Sequence, residues 1–247
     1  MRYKITVEYD GTNLVGWQKQ KDGPSVQEFL EKAIEGFSHR QAEVFGAGRT
    51  DAGVHALGQV AHFDLETDLS AFKMQESLNA LLRELQAPVG VLDCECVDEN
   101  FHARFSAKGR GYIYRLLNRR GPTPLRVNRV WRLPFPALDV EAMRQGAQYL
   151  LGNHDFSSFR GAGCQALSPI KTLDKLDIAV VGDEIIFTVE ARSFIYHQVR
   201  NMVGTLAEVG SGKLQPEDVK RILEAKDRTK AGISAPACGL YLSKVMY

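Results

Sequence analysis

No apolar run in this chain approaches the ~18 residues that a membrane-spanning helix needs, so no membrane partner is expected. The N-terminus, Met-Arg-Tyr-Lys-Ile-Thr-Val-Glu-Tyr-Asp, has neither the apolar stretch nor the small-residue cleavage site of a signal peptide. Cysteine is scarce: Cys94, Cys96, Cys164 and Cys238 form no Cys-x-x-Cys pair and no zinc-ligand spacing. Reduced, structural thiols in a cytoplasmic protein are the expectation. His39, His55, His62, His102, His154 and His197 make no His-x-x-x-His pattern, so no metal is expected and polar packing is the ordinary role of each. Net charge is nearly absent too, at +1 from 31 Lys+Arg against 30 Asp+Glu over 247 residues. With 44% hydrophobic residues, that balance is ordinary for a globular protein and excludes collagen-like, coiled-coil and disordered classes.

The balance hides an uneven distribution. Residues 1–100 carry 9 Lys+Arg and 17 Asp+Glu, a net of −8, whereas residues 101–247 carry 22 and 13, a net of +9. The excess lies in residues 101–135, which hold nine basic residues and no acid: Arg104, Lys108, Arg110, Arg115, Arg119, Arg120, Arg126, Arg129 and Arg132. Arginine favours bidentate phosphate contact, and Tyr112, Tyr114 and Trp131 lie among these cations, as base-stacking residues do. The alternative is a solvated face that lacks acids by chance; the length of the window favours a nucleic-acid partner.

Periodicity suggests two halves with one order of elements. Residues 3–9 alternate as a strand with Lys4, Thr6 and Glu8 on one face. Ser25 and Glu28 form a Ser-x-x-Glu helix start, and Val26, Phe29, Leu30, Ala33, Ile34 and Phe37 repeat at helical spacing behind it. Strands near 43–47 and 57–65, a helix over 70–83 and a strand over 89–97 complete the first half. The second half offers a strand over 110–118 and a helix from the cap Asp139 through about 151. Strands over 173–181 and 184–192 flank a turn at Gly182-Asp183, followed by helical pattern over 195–209 and 216–225 and a strand over 240–247. The expected class is α+β: two ferredoxin-like βαββαβ lobes, residues 1–104 and 105–247, with antiparallel or mixed sheets and the catalytic cleft between them.

The densest motif is Gly46-Ala-Gly-Arg-Thr-Asp-Ala-Gly-Val-His-Ala56, a glycine-rich loop around Arg49-Thr50-Asp51. It lacks the Gly-Lys-Ser/Thr of a P-loop, and Asp51 occupies the third glycine's place of a dinucleotide fingerprint. Gly161-Ala-Gly-Cys-Gln-Ala166 fits that fingerprint but follows a helix, which removes its meaning. Asp51 can serve as a turn residue or as a nucleophilic carboxylate on a rigid loop, kept ionised by an arginine such as Arg49 or Arg200. Arg200 stands in Phe194-Ile-Tyr-His-Gln-Val-Arg-Asn-Met-Val-Gly204 among core-type residues, where an arginine needs a partner. Arg110-Gly-Tyr-Ile-Tyr114 matches the aromatic strand of an RNA-recognition domain only in part, failing at Ile113 and Arg115.

The motif at 46–56, with Tyr9-Asp-Gly-Thr-Asn, Gly16-Trp-Gln, Phe101-His-Ala-Arg-Phe-Ser-Ala107, Tyr112-Ile-Tyr114, Gly152-Asn-His-Asp-Phe-Ser-Ser-Phe159 and Val199-Arg-Asn201, resembles the tRNA pseudouridine synthase A family along the whole chain. Ile195 and Gln198 depart from the commoner Leu and Met without replacing Arg200. The resemblance implies an isomerase that converts uridine to pseudouridine at positions 38, 39 and 40 of the tRNA anticodon stem-loop, without cofactor, as a homodimer. It also implies Asp51 as nucleophile, Tyr112 as the ring on the target base, Arg200 as the basic partner of the aspartate, and Arg49 as a residue of base extrusion. Two other readings stay open on the residues alone. One is a non-catalytic RNA-binding module, which leaves the Gly-Arg-Thr-Asp loop unexplained. The other is a nucleoside hydrolase, which needs a second carboxylate such as Asp10 or Glu8.

Overall fold

A computed structural model describes residues 1–134 and 136–247; Phe135, the last residue of the basic window, lies outside them. The elements in chain order are β1 (Arg2–Tyr9), α1 (Val26–Ser38), β2 (Phe45–Gly46), β3 (His55–Asp64), α2 (Ala71–Glu84), β4 (Val89–Val97), β5 (Gly109–Leu117), β6 (Trp131–Arg132), α3 (Val140–Gln148), β7 (Gly152–Asp155), β8 (Ile170–Val181), β9 (Glu184–Ala191), α4 (Gln198–Gly210), α5 (Pro216–Ala225) and β10 (Leu240–Met246). They form two compact units, Met1–Lys108 with Tyr241–Tyr247, and Gly109–Leu240. The class is α+β, with mixed strand directions.

In the first unit the strands follow the order β4-β1-β3-β2, each pair antiparallel, which is the ferredoxin-like arrangement. β10 adds to β3 in parallel, with Tyr241 opposite His55 and Leu242 opposite Ala56. Tyr3, Ile5 and Val7 alternate inward from β1 and are buried, as are Leu30 and Ile34 of α1 and Met74, Leu78 and Leu82 of α2, the two helices packing on each other. The helix starts follow local chemistry: Ser25 Oγ accepts from the Glu28 N–H at 3.2 Å and Ser70 Oγ from the Lys73 N–H at 3.4 Å.

The second unit orders its strands β5-β9-β8-β7, antiparallel throughout, with β6 parallel to β5. Asp139 caps α3 through the Ala142 N–H at 3.0 Å. Met143 and Ala147 of α3 pack with Met202, Val203 and Leu206 of α4 and Val219 and Ile222 of α5.

Three local expectations change. The helix expected from 195 begins at Gln198, because His197 takes a left-handed backbone (φ 61°) and Gln198 Oε1 caps the Ile195 N–H at 2.9 Å. α3 ends at Gln148 rather than 151. Gly152–Asp155 forms β7 against β8, although Gly-Asn-His-Asp carries no strand propensity. No helix of the described residues is long and apolar enough to cross a membrane, and none of their His, Cys, Asp and Glu side chains gather in threes that could hold a metal.

Candidate active site and nucleic-acid interface

Asp51 and Arg49 lie in the first unit, on the loop between β2 and β3; Tyr112 and Arg200 lie in the second, on β5 and α4. The backbone of the Asp51 loop is held at several points. The Trp17 N–H donates to the Thr50 carbonyl at 3.1 Å, and the Val54 N–H closes the turn on the Asp51 carbonyl at 3.1 Å. Thr50 is buried, and its Oγ1 lies 2.8 Å from the Tyr9 hydroxyl. On the far side Gln59 Nε2 donates to the Gly48 carbonyl at 2.7 Å. The segment carrying Trp17 comes this close because residue 16 is glycine: its φ is +107°, and a Cβ there would overlap the Thr50 carbonyl oxygen. Pinned on both flanks, Asp51 stays half-buried while Arg49 is exposed. A carboxylate held this way meets the positional demand of a nucleophile without losing all access.

Sequence reasoning gave no role to Tyr9 or Gln59. Tyr9 was visible only as the start of a motif. Gln59 carried a sharper signal, a polar residue in the apolar β3 run Gly58-Gln-Val-Ala61. It is fully buried, and its Oε1 has no hydrogen-bond partner among the described residues.

In the second unit, Tyr112 stands opposite Val189 of β9 and meets the Phe194 ring edge-on, centroids 5.1 Å apart. It is half-buried. Arg200 lies in the first turn of α4. Its Nε donates to the Ala235 carbonyl at 2.7 Å, its Nη1 lies 3.0 Å from His197 Nε2, and the Ala235 N–H donates to the Arg200 carbonyl at 3.1 Å. The partner that its core setting demands is therefore supplied partly by the segment Gly232–Ala235. That segment reaches α4 because residue 204 is glycine; a Cβ there would overlap the Ile233 carbonyl oxygen. Farther along α4, the Gly232 N–H donates to Thr205 Oγ1 at 3.0 Å, and Asn201 Nδ2 donates to the Phe159 carbonyl at 2.8 Å.

The basic window needs correction in two respects. Tyr114 is fully buried, with its hydroxyl donating to the Pro236 carbonyl at 2.8 Å, and Trp131 packs edge-on against it; both are core residues, so only Tyr112 of the three keeps a partly open ring. The window also lacks acids in sequence but not in space. The β8–β9 turn brings Asp183 and Glu184 against it. Arg115 grips Glu184 with two bonds of 2.8 and 2.9 Å, Arg119 meets Asp183 at 2.7 Å, and Arg126 meets Asp183 and Glu184 at 2.8 Å each. Hydrogen bonds from Arg126 and Arg119 hold the Asp183 carboxyl below the usual range.

Similarity to known proteins runs along the whole chain. The tRNA pseudouridine synthase family profile matches residues 5–106 and 147–247. The chain belongs to that family. It is 56% identical over 246 residues to tRNA pseudouridine synthase A of Paramagnetospirillum magneticum, covering 100% of this chain and 95% of that one. The corresponding protein of Rhodospirillum centenum is 54% identical, with 100% and 99% covered, and that of Maricaulis maris 52% identical, with 100% and 98% covered. The family match omits residues 107–146 and so most of the basic window, whereas the full-length relatives span it.

Proposed function

We propose that this protein isomerises uridine to pseudouridine in the tRNA anticodon stem-loop, at positions 38, 39 and 40, with Asp51 as the nucleophile. The observation that carries the reading is Asp51 itself, a carboxylate on a glycine-permitted loop whose neighbours Thr50 and Gly48 are tied to Tyr9, Trp17 and Gln59. Such fixation has little purpose for a turn aspartate and suits a group that must meet one atom of a substrate. A uridine within a stem has to be extruded, which costs a few kcal/mol, and contacts elsewhere on the RNA offset that cost. Asp51 then attacks uracil C6 or ribose C1′, the C1′–N1 bond breaks and the base turns; C5 bonds to C1′, the bond to Asp51 is released, and the proton lost from C5 is balanced by one taken up at N1. Tyr112 is proposed to stack on the target base and Arg200 to supply positive charge for the aspartate. Arg49, exposed beside Asp51, is proposed to help extrusion.

We extend the proposal to a division of labour between residues 1–104, which carry the aspartate, and residues 105–247, which carry the basic window and the arginine helix. Action as a cytoplasmic homodimer belongs to the same proposal. Mass spectrometry of unmodified tRNA after incubation with the purified protein tests the reaction. Pseudouridine at the three positions with no free uracil is expected; free uracil in its place would make the protein a hydrolase.

A further inference from the structure

A second group of rings in the first unit remains unused by this chemistry. After β4, residues 102–106 make a tight turn fixed by their own polar atoms. The His102 N–H donates to Ser106 Oγ at 3.0 Å, the Ser106 N–H to the His102 carbonyl at 2.9 Å, and the Arg104 N–H to His102 Nδ1 at 3.1 Å. The Ala103 N–H donates to His62 Nδ1 of β3 at 3.2 Å, and the Tyr247 hydroxyl to the Ala103 carbonyl at 2.7 Å.

This turn sets up a continuous series of rings. Phe45 of β2 stacks on His62 with centroids 5.2 Å apart, His62 meets His102 at 4.6 Å, and His102 meets Phe105 at 4.4 Å. Burial pushes the His62 imidazole down to about 4 and lowers that of His102, so the inner rings are neutral near pH 7. The series passes through the interior at His62, 2% exposed, and emerges at Phe45, 40% exposed, and at Phe105, 76% exposed. The Arg104 guanidinium lies 5.8 Å from the Phe105 centroid.

Two of the rings, Phe45 and His62, share a hairpin with the Asp51 loop, and the 102–106 turn packs against it through His62. Phe45 pairs with His62 across β2 and β3, and the glycine-rich segment leaves β2 at the next residue. An exposed phenyl ring alone needs no explanation. A rigidly backed ring beside a guanidinium, on a turn packed against the hairpin that carries the Asp51 loop, fits one occupant well. A nucleobase offers a flat π-face for the ring and a phosphate for the cation.

We propose that Phe105, backed by His102 and flanked by Arg104, is a stacking site for an unpaired base of the RNA substrate other than the target uridine. The proposal rests on the reading of the protein as a tRNA-modifying enzyme. It assigns Phe105 to affinity rather than to the chemical step.

The test compares full-length wild type, Phe105→Ala and Phe105→Trp in three measurements: equilibrium binding of unmodified tRNA, single-turnover conversion at saturating tRNA, and sedimentation without RNA. Phe105→Ala is expected to weaken binding about tenfold, with Phe105→Trp restoring it, because any flat ring can stack on a base. The saturated rate and the sedimentation coefficient should be unchanged in both variants. Unchanged affinity in Phe105→Ala, or a tryptophan no better than alanine, would overturn the proposal. A sedimentation change with unaltered RNA affinity would also overturn it, by showing that the ring covers another copy of the chain. If wild type converts uridine while the alanine variant binds normally, only the stacking site falls. If wild type converts none and the alanine variant still loses affinity, the enzymatic reading falls and the stacking site stands.

Discussion

The Asp51 loop of the first unit and the Arg200 turn of the second achieve the same end by different means. Around Asp51, bonds to the backbone carbonyls of Thr50 and Gly48 and one at the buried Thr50 hydroxyl hold the loop, and the residue is half-buried. Around Arg200 the functional side chain is itself tied, through Nε, to the Ala235 carbonyl. The difference follows from the groups held. A short carboxylate can be aimed by fixing its backbone, whereas a long guanidinium with several rotatable bonds needs a hold on the side chain itself. One glycine serves each place, Gly16 under Thr50 and Gly204 under Ile233, and each admits a carbonyl where a Cβ would stand.

The sharpest way to break the comparison is to add those methyl groups. Gly204→Ala forces a backbone carbonyl off the middle of a buried helix and should cost about 3 kcal/mol or more in urea unfolding. Gly16→Ala meets both an overlap and a positive φ, in a buried connection that lies outside any helix or strand, and should cost about 2 kcal/mol. Its uridine conversion should fall far more than this stability loss accounts for. If Gly16→Ala converts uridine normally, the loop does not have to be held as described.

An effect of pH in the first unit is comparable in size to the larger of these. His62 is buried and titrates at about 4 in the folded protein against 6.5 in its absence. The unfolded chain therefore binds the extra proton first, and stability falls as pH drops from about 6.5 towards 4, by about 3 kcal/mol in all. Urea unfolding of wild type and His62→Gln across that window should show a flatter profile for the variant. Equal slopes would remove His62 as the cause.

Smaller still, Tyr9→Phe removes the hydroxyl at Thr50 and should cost about 1 kcal/mol of stability while lowering kcat more than it raises KM. A change confined to KM would mean that the bond serves binding instead. The smallest effect belongs to the second unit. Asp183→Asn takes an anion from Arg119 and Arg126 and should steepen the salt dependence of RNA binding by about 0.9 in log–log slope for each phosphate newly met. An unaltered slope would place those arginines away from the RNA.

Much of the first unit could be read from its sequence because its signals are local. Ser25, three residues before Glu28, and the period of Val26, Leu30, Ala33 and Ile34 fix α1 without reference to anything distant. The Gly-Arg-Thr-Asp loop was legible as composition, but its supports Tyr9 and Gln59 come from strands on either side of it, and Tyr9 is 41 residues from Thr50. The second unit misled where partners are far apart in the chain. Arg115 and Glu184 are separated by 69 positions, so an acid-free window could not reveal its own neutralisation. Tyr114 and Tyr112 share a strand face, yet the Pro236 carbonyl and the Trp131 ring claim one while the other stays partly open. The left-handed His197 that delays α4 has no distinctive marker, since His39 shares that conformation while the other four histidines do not.

The central claim is that Asp51 performs the chemistry and that its loop exists to hold it. Single-turnover conversion of uridine by Asp51→Asn, with tRNA binding measured on the same preparation, tests this most directly. Binding within about twofold of wild type and a rate lower by about a thousandfold or more is the predicted result. Pseudouridine formed by Asp51→Asn at a rate near that of wild type would contradict it.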